Sequence, residues 1–281
     1  MKVAILISGE YRTFPVCRKT MKFLDDPTVD IYFSTWDSSH HTHPNLGVFH
    51  PEKITQDIIK DAMTGKEIVG LLDDSSMFNN HKYNSKMIYK WLSGLELIKA
   101  SEKKYDAILI IRPDMFFNIA TETSEFMFNR IRNIQDGVLY TSWFDTPRRH
   151  QDDMAFLATP LTMLNSIGSI SIDSWNNSSE TEWHRWLWNE FENKKIVRDK
   201  FCPQLDFCLC RPIVTLEDVA ADECYANVFF KSKVWQYSSI EYSIKRGNEE
   251  KVAEVWHKGI FEDLANFWKK HPTHYPYRNI T

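Results

Sequence analysis

Apolar residues along this chain fall into short runs that alternate with longer amphipathic stretches. The runs Val3–Ile7 and Ala107–Ile111 hold no polar residue, and Val29–Asp37 is a third, mostly apolar segment that turns polar at its end. Runs of this length, rich in β-branched and aliphatic residues, are typical of strands buried on both faces of a parallel sheet. Shorter strands are predicted over Asp136–Phe144 and Asp152–Pro160.

Helical spacing separates these runs. The clearest helix carries apolar residues at steps of three and four, namely Met87, Trp91, Leu95 and Ile98, and Asn84 or Ser85 can cap its start. Other helices are predicted over Val16–Leu24, Ile54–Met63 and Thr181–Glu192, and from Leu161 onward. Strands that alternate with helices predict an α/β fold with a mostly parallel sheet flanked by helices.

Composition narrows the class of protein. The chain has 281 residues, of which 43% are hydrophobic, and a formal net charge of -4, which fits one large domain without a basic surface for nucleic acid or an anionic membrane. The five cysteines are irregularly spaced, which argues against a disulfide framework. No apolar run is long enough for a signal or transmembrane segment, so a cytoplasmic protein is expected.

Three predicted strands end in short polar clusters. In parallel α/β sheets, ligands bind outside the carboxyl ends of the strands, although every strand must end in something polar. Gly9 permits close approach of the backbone to a ligand, and Arg12 could bring its guanidinium to a diphosphate. Neither a GxGxxG nor a P-loop pattern is present. The clusters are Ser8-Gly9, Thr35-Trp36-Asp37 and Arg112-Pro113-Asp114.

Acidic residues supply the candidate chemistry. Asp114 at a strand end suits a divalent cation, or it could simply pair with Arg112 to close a turn. Asp152 and Asp153 precede a strand and could bind sugar hydroxyls or act as a general base, or they could lie in a solvated loop. Glu182 lies in the first turn of a predicted helix, where the helix dipole alone would favour it.

Several segments, taken in order, resemble GT-A-type glycosyltransferases of bacterial polysaccharide assembly, and in particular the WavE-like lipopolysaccharide-synthesis family. The segments are AILISGEYRTF, DIYFSTWD, YDAILIIRPDMFF and DDMAFLATP, with a helix before the third. The match covers about residues 1–195, and its specificity lies in the order and spacing. It implies a GT-A-like (Rossmann-like) catalytic domain over residues 1–215 that binds a nucleotide sugar, and a helical C-terminal extension over 216–281 packed on it.

The resemblance also implies roles for individual residues. Asp114 falls where such enzymes keep the last Asp of the metal-holding Asp-x-Asp element, so Mn²⁺ or Mg²⁺ is the implied cofactor; Arg112 replaces the first Asp of that element. Asp153 would face the acceptor and, if the reaction inverts, would be the catalytic base, with Glu182 as second choice; Asp152 would bind the acceptor. The implied nucleotide-sugar site consists of Ser8, Gly9, Arg12, Thr35, Trp36, Asp37 and Arg112.

The expected function is transfer of a hexose from a nucleoside diphosphate sugar to a hydroxyl of a glycan or lipid-linked acceptor, in polysaccharide or glycan synthesis. Two alternatives stay open. Arg112 in place of an acid favours a catalytically silent carbohydrate- or nucleotide-sugar-binding protein on the same fold. A nucleotidyl- or phosphotransferase would usually bring more carboxylates and a lysine-bearing phosphate loop, and neither pattern is found.

Overall fold

The computed structural model describes most of the chain up to residue 200. Arg12 and the predicted extension over 216–281 lie outside the described residues, and the domain boundary therefore stays a prediction. The described residues are 1–11, 14, 18, 21–38, 53–63, 65–78, 81–82, 84–117, 127–142, 144–200 and 207–209.

A seven-stranded sheet forms the centre of the protein, with the order β10-β6-β9-β4-β1-β2-β3. Neighbouring strands are parallel, except that β9 runs antiparallel to both β4 and β6. Two short antiparallel pairs lie outside this sheet, β5 with β11 and β7 with β8. The strands are β1 Val3–Ser8, β2 Val29–Trp36, β3 Ile68–Asp73, β4 Ala107–Ile111, β5 Met115–Phe117, β6 Val138–Thr141, β7 Phe144–Asp145, β8 His150–Gln151, β9 Ala155–Ala158, β10 Val197–Lys200 and β11 Phe207–Leu209.

The strand order reverses between β1 and β4. From β1 the chain proceeds outward to β2 and β3 on one side, and then returns to place β4 on the other side of β1. Every residue of β1 and β4 is buried, which explains why their sequences hold almost no polar residue. In open α/β sheets the crevice outside such a reversal is where ligands bind.

Helices pack on the sheet and complete the core. The second helix, α2 (Ser85–Ala100), lies on β1 and β2. The helix and the strand β1 are so close that a Cβ atom at Gly94 would stand 2.4 Å from Cδ1 of Leu6. Trp91 and Leu95 of α2 and Phe156 of β9 belong to the resulting apolar cluster. The α-helices whose bounds both lie within the described residues are α1 Gln56–Ala62, α2 Ser85–Ala100, α3 Pro160–Ser166, α4 Ile172–Asn176 and α5 Trp183–Asn193. Among the described residues, no helix combines the length and the apolar character needed to cross a membrane.

The predicted α/β class and the mostly parallel sheet are confirmed, and so are the buried strands at β1, β2 and β4. The sequence analysis missed β3 and β10. Both lie at edges of the sheet; β3 is interrupted by Gly70 and β10 reads VRDK, so neither shows a buried run. Of the helix predicted over Val16–Leu24, residues 16, 17, 19 and 20 lie outside the described residues, and its end forms a 3-10 helix over Lys22–Asp25.

Candidate functional site

The turns that follow β1 and β4 touch each other at the point of strand-order reversal. Gly9 has φ +129, a conformation that residues with a side chain rarely adopt, and a Cβ atom there would lie 3.5 Å from Cδ of Pro113. Its N–H donates to the carbonyl of Ser34 over 3.0 Å. The buried hydroxyl of Ser8 has no hydrogen-bond partner within the described part of the chain.

Arg112 and Asp114 form a two-bonded ion pair at the end of β4. Nε of Arg112 donates to Oδ1 of Asp114 and Nη2 donates to Oδ2, each over 2.9 Å. The Asp114 side chain is 1% exposed and that of Arg112 is 14% exposed. Bidentate guanidinium–carboxylate pairs of this kind fix the orientation of the cation as well as contributing charge.

The antiparallel direction of β9 brings two more acids to the same edge. Ala155 of β9 pairs with Ile111 of β4, so the residues just before β9 lie beside the residues just after β4. Oδ1 of Asp153 is 3.5 Å from Nη1 of Arg112, and its Oδ2 accepts from Nε1 of Trp183 over 2.8 Å. Asp153 and its neighbour Asp152 are both buried, so these two acids do not belong to a solvated loop.

Two hydrogen-bond donors hold the Asp152 carboxylate. Its Oδ2 accepts from the hydroxyl of Ser142 over 2.6 Å, and its Oδ1 accepts from the backbone N–H of Asp153 over 2.7 Å. Burial, followed by the neighbouring charge of Asp153, raises the pKa of Asp152 to about 7, against the lowering effect of these hydrogen bonds.

The first turn of α5 closes the site. Glu182 caps this helix, because its two carboxylate oxygens accept the backbone N–H groups of His184 and Arg185 over 3.1 and 2.8 Å. Nδ1 of His184 is 2.8 Å from the carbonyl oxygen of Gln151. Since a carbonyl only accepts, Nδ1 carries the proton and the lone pair lies on Nε2. The ring of His184 stacks on that of His150, with centroids 4.3 Å apart.

One group among the described residues has the composition of a metal site. A carboxylate oxygen of Asp152, one of Asp153 and a ring nitrogen of His184 all lie within 4.8 Å of one another. Two carboxylates with an imidazole suit a divalent cation, and the contacts of Ser142 and Trp183 are the kind that orient ligands from outside.

A second polar cluster stands at the ends of β2 and β3. The Trp36 indole is buried; the Tyr89 ring stacks on it with centroids 5.6 Å apart, and Nζ of Lys90 lies 4.2 Å from its ring centroid. Lys90 is fully buried and pairs with Asp73 over 2.5 Å. Asp37, the residue after Trp36, forms an ion pair with Lys53 over 3.0 Å. Burial lowers the pKa of Lys90 to about 8, although Asp73 and Asp37 oppose the shift.

The structure brings several predicted residues together and separates others from them. Gly9, Arg112, Asp114 and the Asp152–Asp153 pair share one edge of the sheet. Glu182 lies beside that group but serves as a helix cap, and Trp36 is enclosed by other side chains at the end of β2. His184 and the hydrogen bond from Trp183 were not predicted from the sequence; Trp183 belongs to the apolar cluster of the core. The functional roles of all these residues stay predictions.

Comparison with known proteins identifies no family. No family model and no curated protein matches the chain. Two solved structures of the galactosyltransferase LgtC are similar to this chain at 10% sequence identity; one is a complex with donor and acceptor sugar analogs, and the other is an active-site mutant. The complex covers 71% of this chain and 73% of its own, with a TM-score of 0.43. The mutant covers 71% of this chain and 72% of its own, with a TM-score of 0.44. A Methanothermobacter nucleotidyl transferase shares 9% identity over 75% of this chain and 87% of its own, with a TM-score of 0.36. Similarities this distant carry no functional conclusion.

Proposed function

We propose that this chain is a GT-A-type glycosyltransferase that moves a sugar from a nucleoside diphosphate sugar to an acceptor hydroxyl. The observation that carries the proposal is the meeting of a half-buried guanidinium with a buried acid pair at one strand edge, with Nη1 of Arg112 3.5 Å from Oδ1 of Asp153. Sugar transfer needs a cation for the leaving diphosphate and a base for the acceptor proton. The site offers both within a few ångströms.

The donor's nucleotide would lie along the ends of β1 and β2. Gly9 lets a phosphate approach the backbone at the β1 turn, and Arg12 would join it there. Asp37 stands at the end of β2, where Rossmann-like sheets hold the ribose with an acid. Ser8 and Thr35 contribute buried hydroxyls that have no partner within the described residues. Trp36, being enclosed, would act by fixing Asp37 rather than by stacking on a base.

Asp153 is proposed as the general base. Its two oxygens face different donors, the Trp183 indole and the Arg112 guanidinium, so the carboxylate is held in a defined orientation at the edge of the sheet. Asp152 would bind and orient the acceptor next to it. Glu182, as the cap of α5, would support this region through the position of Trp183 and His184.

A divalent cation, Mn²⁺ or Mg²⁺, is the cofactor that the resemblance implies. The donor set formed by Asp152, Asp153 and His184 has a composition that suits such an ion, whereas Asp114 is bound through both oxygens to a cation, the Arg112 guanidinium. A cation bound by the three residues would add positive charge beside the transferred sugar. The residues would hold it through one oxygen from each aspartate and one ring nitrogen.

The finer features of the proposal come from the resemblance. They are membership of the WavE-like family, a hexose as the transferred sugar, a glycan or lipid-linked acceptor, a place in polysaccharide synthesis, and a cytoplasmic location.

The test is a screen of nucleoside diphosphates and their sugars against the purified chain, with and without Mn²⁺. A bound donor at a hundred times its dissociation constant should stabilise the fold by about 2.7 kcal/mol, and release of nucleoside diphosphate should accompany transfer or slow hydrolysis. Failure of every nucleotide sugar to bind would remove the proposal. Binding without release of nucleoside diphosphate would favour a silent binding protein, a reading that the Arg112–Asp114 pair also favours.

A further inference from the structure

Arg112 and Asp114 stand where the implied Asp-x-Asp element would hold a metal ion. We propose that Arg112 itself binds the donor's diphosphate, and that Asp114 is the residue that positions this guanidinium rather than a metal ligand. The inference rests on the proposed function and deepens it, because it concerns how the same donor is held.

The Asp114 carboxylate does not fit the implied metal. Each of its oxygens already accepts a charge-assisted hydrogen bond of 2.9 Å, one from Nε and one from Nη2 of Arg112. The carboxylate is 1% exposed. Each oxygen keeps a second lone pair, but a divalent cation bound there, with ligand distances near 2.1 Å, would stand directly against the guanidinium, so that two cationic groups would meet in a buried place.

The same pair gives the guanidinium a fixed direction. Asp114 engages one edge of the planar group and takes two of its five N–H donors. Nη1 is turned toward Asp153, at 3.5 Å, longer than a well-formed hydrogen bond. Asp114 therefore orients Arg112 along the carboxyl edge of the sheet, toward the acid pair, and a planar fork is well suited to phosphate oxygens.

Arg112 lies at the part of the sheet where α/β folds bind their ligands. Arg112 directly precedes Pro113, whose Cδ lies 3.5 Å from the place a Cβ of Gly9 would occupy. The backbone turn after β1 and the guanidinium after β4 thus flank the same point of strand-order reversal, where α/β sheets bind phosphates. A lysine would bring the charge but could not engage both oxygens of Asp114.

The first measurement uses the unaltered chain. Calorimetric titrations with UDP and GDP, and with uridine and guanosine, are made in EDTA and again with Mn²⁺. We expect a diphosphate to bind in EDTA with a dissociation constant within about threefold of that in Mn²⁺. Diphosphate binding that is lost in EDTA would overturn this inference alone. No binding of either diphosphate under any condition would overturn the inference, whereas the proposed function falls only if every nucleotide sugar of the screen fails to bind.

The second measurement compares Asp114→Asn and Arg112→Lys with Asp106→Asn, which alters an exposed acid at the opposite end of β4. The first two variants should weaken diphosphate binding more than about tenfold and leave nucleoside binding unchanged, while Asp106→Asn changes neither. Tighter diphosphate binding by Asp114→Asn, as expected if that carboxylate only repels phosphate, would contradict the positioning role. So would equal losses for nucleoside and diphosphate, which indicate a merely structural effect.

A third readout follows Mn²⁺ itself by electron paramagnetic resonance. Asp114→Asn should bind Mn²⁺ as the unaltered chain does, and absence of Mn²⁺ binding by the unaltered chain also agrees with the inference. Loss of existing Mn²⁺ binding in Asp114→Asn would overturn it. If Asp114→Asn does not fold, Arg112→Lys and the EDTA titration still decide the outcome.

Discussion

The indole N–H of Trp183 donates a hydrogen bond to Oδ2 of Asp153 over 2.8 Å, from the first turn of α5 to the segment before β9. The two residues are 30 positions apart, and both side chains are buried. The bond joins the apolar cluster under the sheet to the acid pair at its edge. A core tryptophan thereby controls the direction of a candidate catalytic carboxylate.

Trp183→Phe should preserve most of the packing and remove this one donor. A buried carboxylate oxygen that loses a donor costs about 1–3 kcal/mol of stability, and Asp153 becomes free to turn toward Arg112, so the rate of sugar transfer should fall. Trp186→Phe is the matched control, because its ring stacks on Trp183 one turn further along α5. Denaturant unfolding and initial rates check the prediction, and equal rate losses in both variants would count against it.

Asp153→Asn tests the general base directly. The amide keeps the shape of the side chain but does not accept the acceptor's proton, so kcat should fall by about a hundredfold or more while donor binding is retained. Asp173→Asn, on the exposed side of α4, is the control and should leave the rate unchanged. Transfer at the unaltered rate by Asp153→Asn would remove this residue from the mechanism.

The strand ends that form this site could be predicted from the sequence, because neighbouring parallel strands end at the same edge of a sheet. Ser8-Gly9 and Arg112-Pro113-Asp114 follow two apolar runs, and these strands are neighbours in the sheet. Asp152 and Asp153 lie at the same edge for a different reason, because β9 runs antiparallel to β4. The direction of β9 cannot be predicted from its local sequence. A strand that begins at the edge where its neighbours end looks the same in sequence as one that begins at the opposite edge.

Contacts made by α5 and the edge strands were beyond prediction for physical reasons. His184 meets the Gln151 carbonyl across 33 positions, and a histidine on an amphipathic helix gives no local sign of such a partner. Lys90 lies within the predicted helix α2, yet a lysine is ordinarily placed on the solvent side. Its burial depends on Asp73, at the end of a strand that the apolar pattern did not reveal.

Gly94→Ala should destabilise the fold through the contact between α2 and β1. The added Cβ would lie 2.4 Å from Cδ1 and 3.0 Å from Cγ of Leu6, and Leu6 is fully buried, so the Leu6 side chain, the helix or the strand must shift, at a cost of about 1–3 kcal/mol. Gly168→Ala is the control, since its nearest neighbour is Leu164 at 3.4 Å, a partly exposed side chain. Equal stability of Gly94→Ala and the unaltered chain in denaturant unfolding would contradict the packing described.

The buried Lys90 side chain should make the free energy of unfolding depend on pH. Burial lowers its pKa from 10.5 to about 8 in the folded chain, so between these values the unfolded chain binds more protons than the folded one. The free energy of unfolding should therefore rise with pH from about 8 upward, by at most about 1.4 kcal/mol per pH unit for this one group. Below pH 8 both states hold the proton and this contribution is constant. Tyr11, whose pKa is raised to about 12, acts in the opposite sense above pH 10.

The informative window is therefore pH 8 to 10. Denaturant unfolding across it should show a rising free energy for the unaltered chain, and the rise should be smaller in Lys90→Met, which has no proton to lose at this position. Lys99→Met, on the exposed side of the same helix, should keep the rise. A rise that persists in Lys90→Met would assign the titration to another group, but not to Lys53 or Tyr89, because their raised pKa values act in the opposite sense. A fall in stability of the unaltered chain across this window would mean that Lys90 keeps its proton, and that the Asp73 ion pair outweighs its burial.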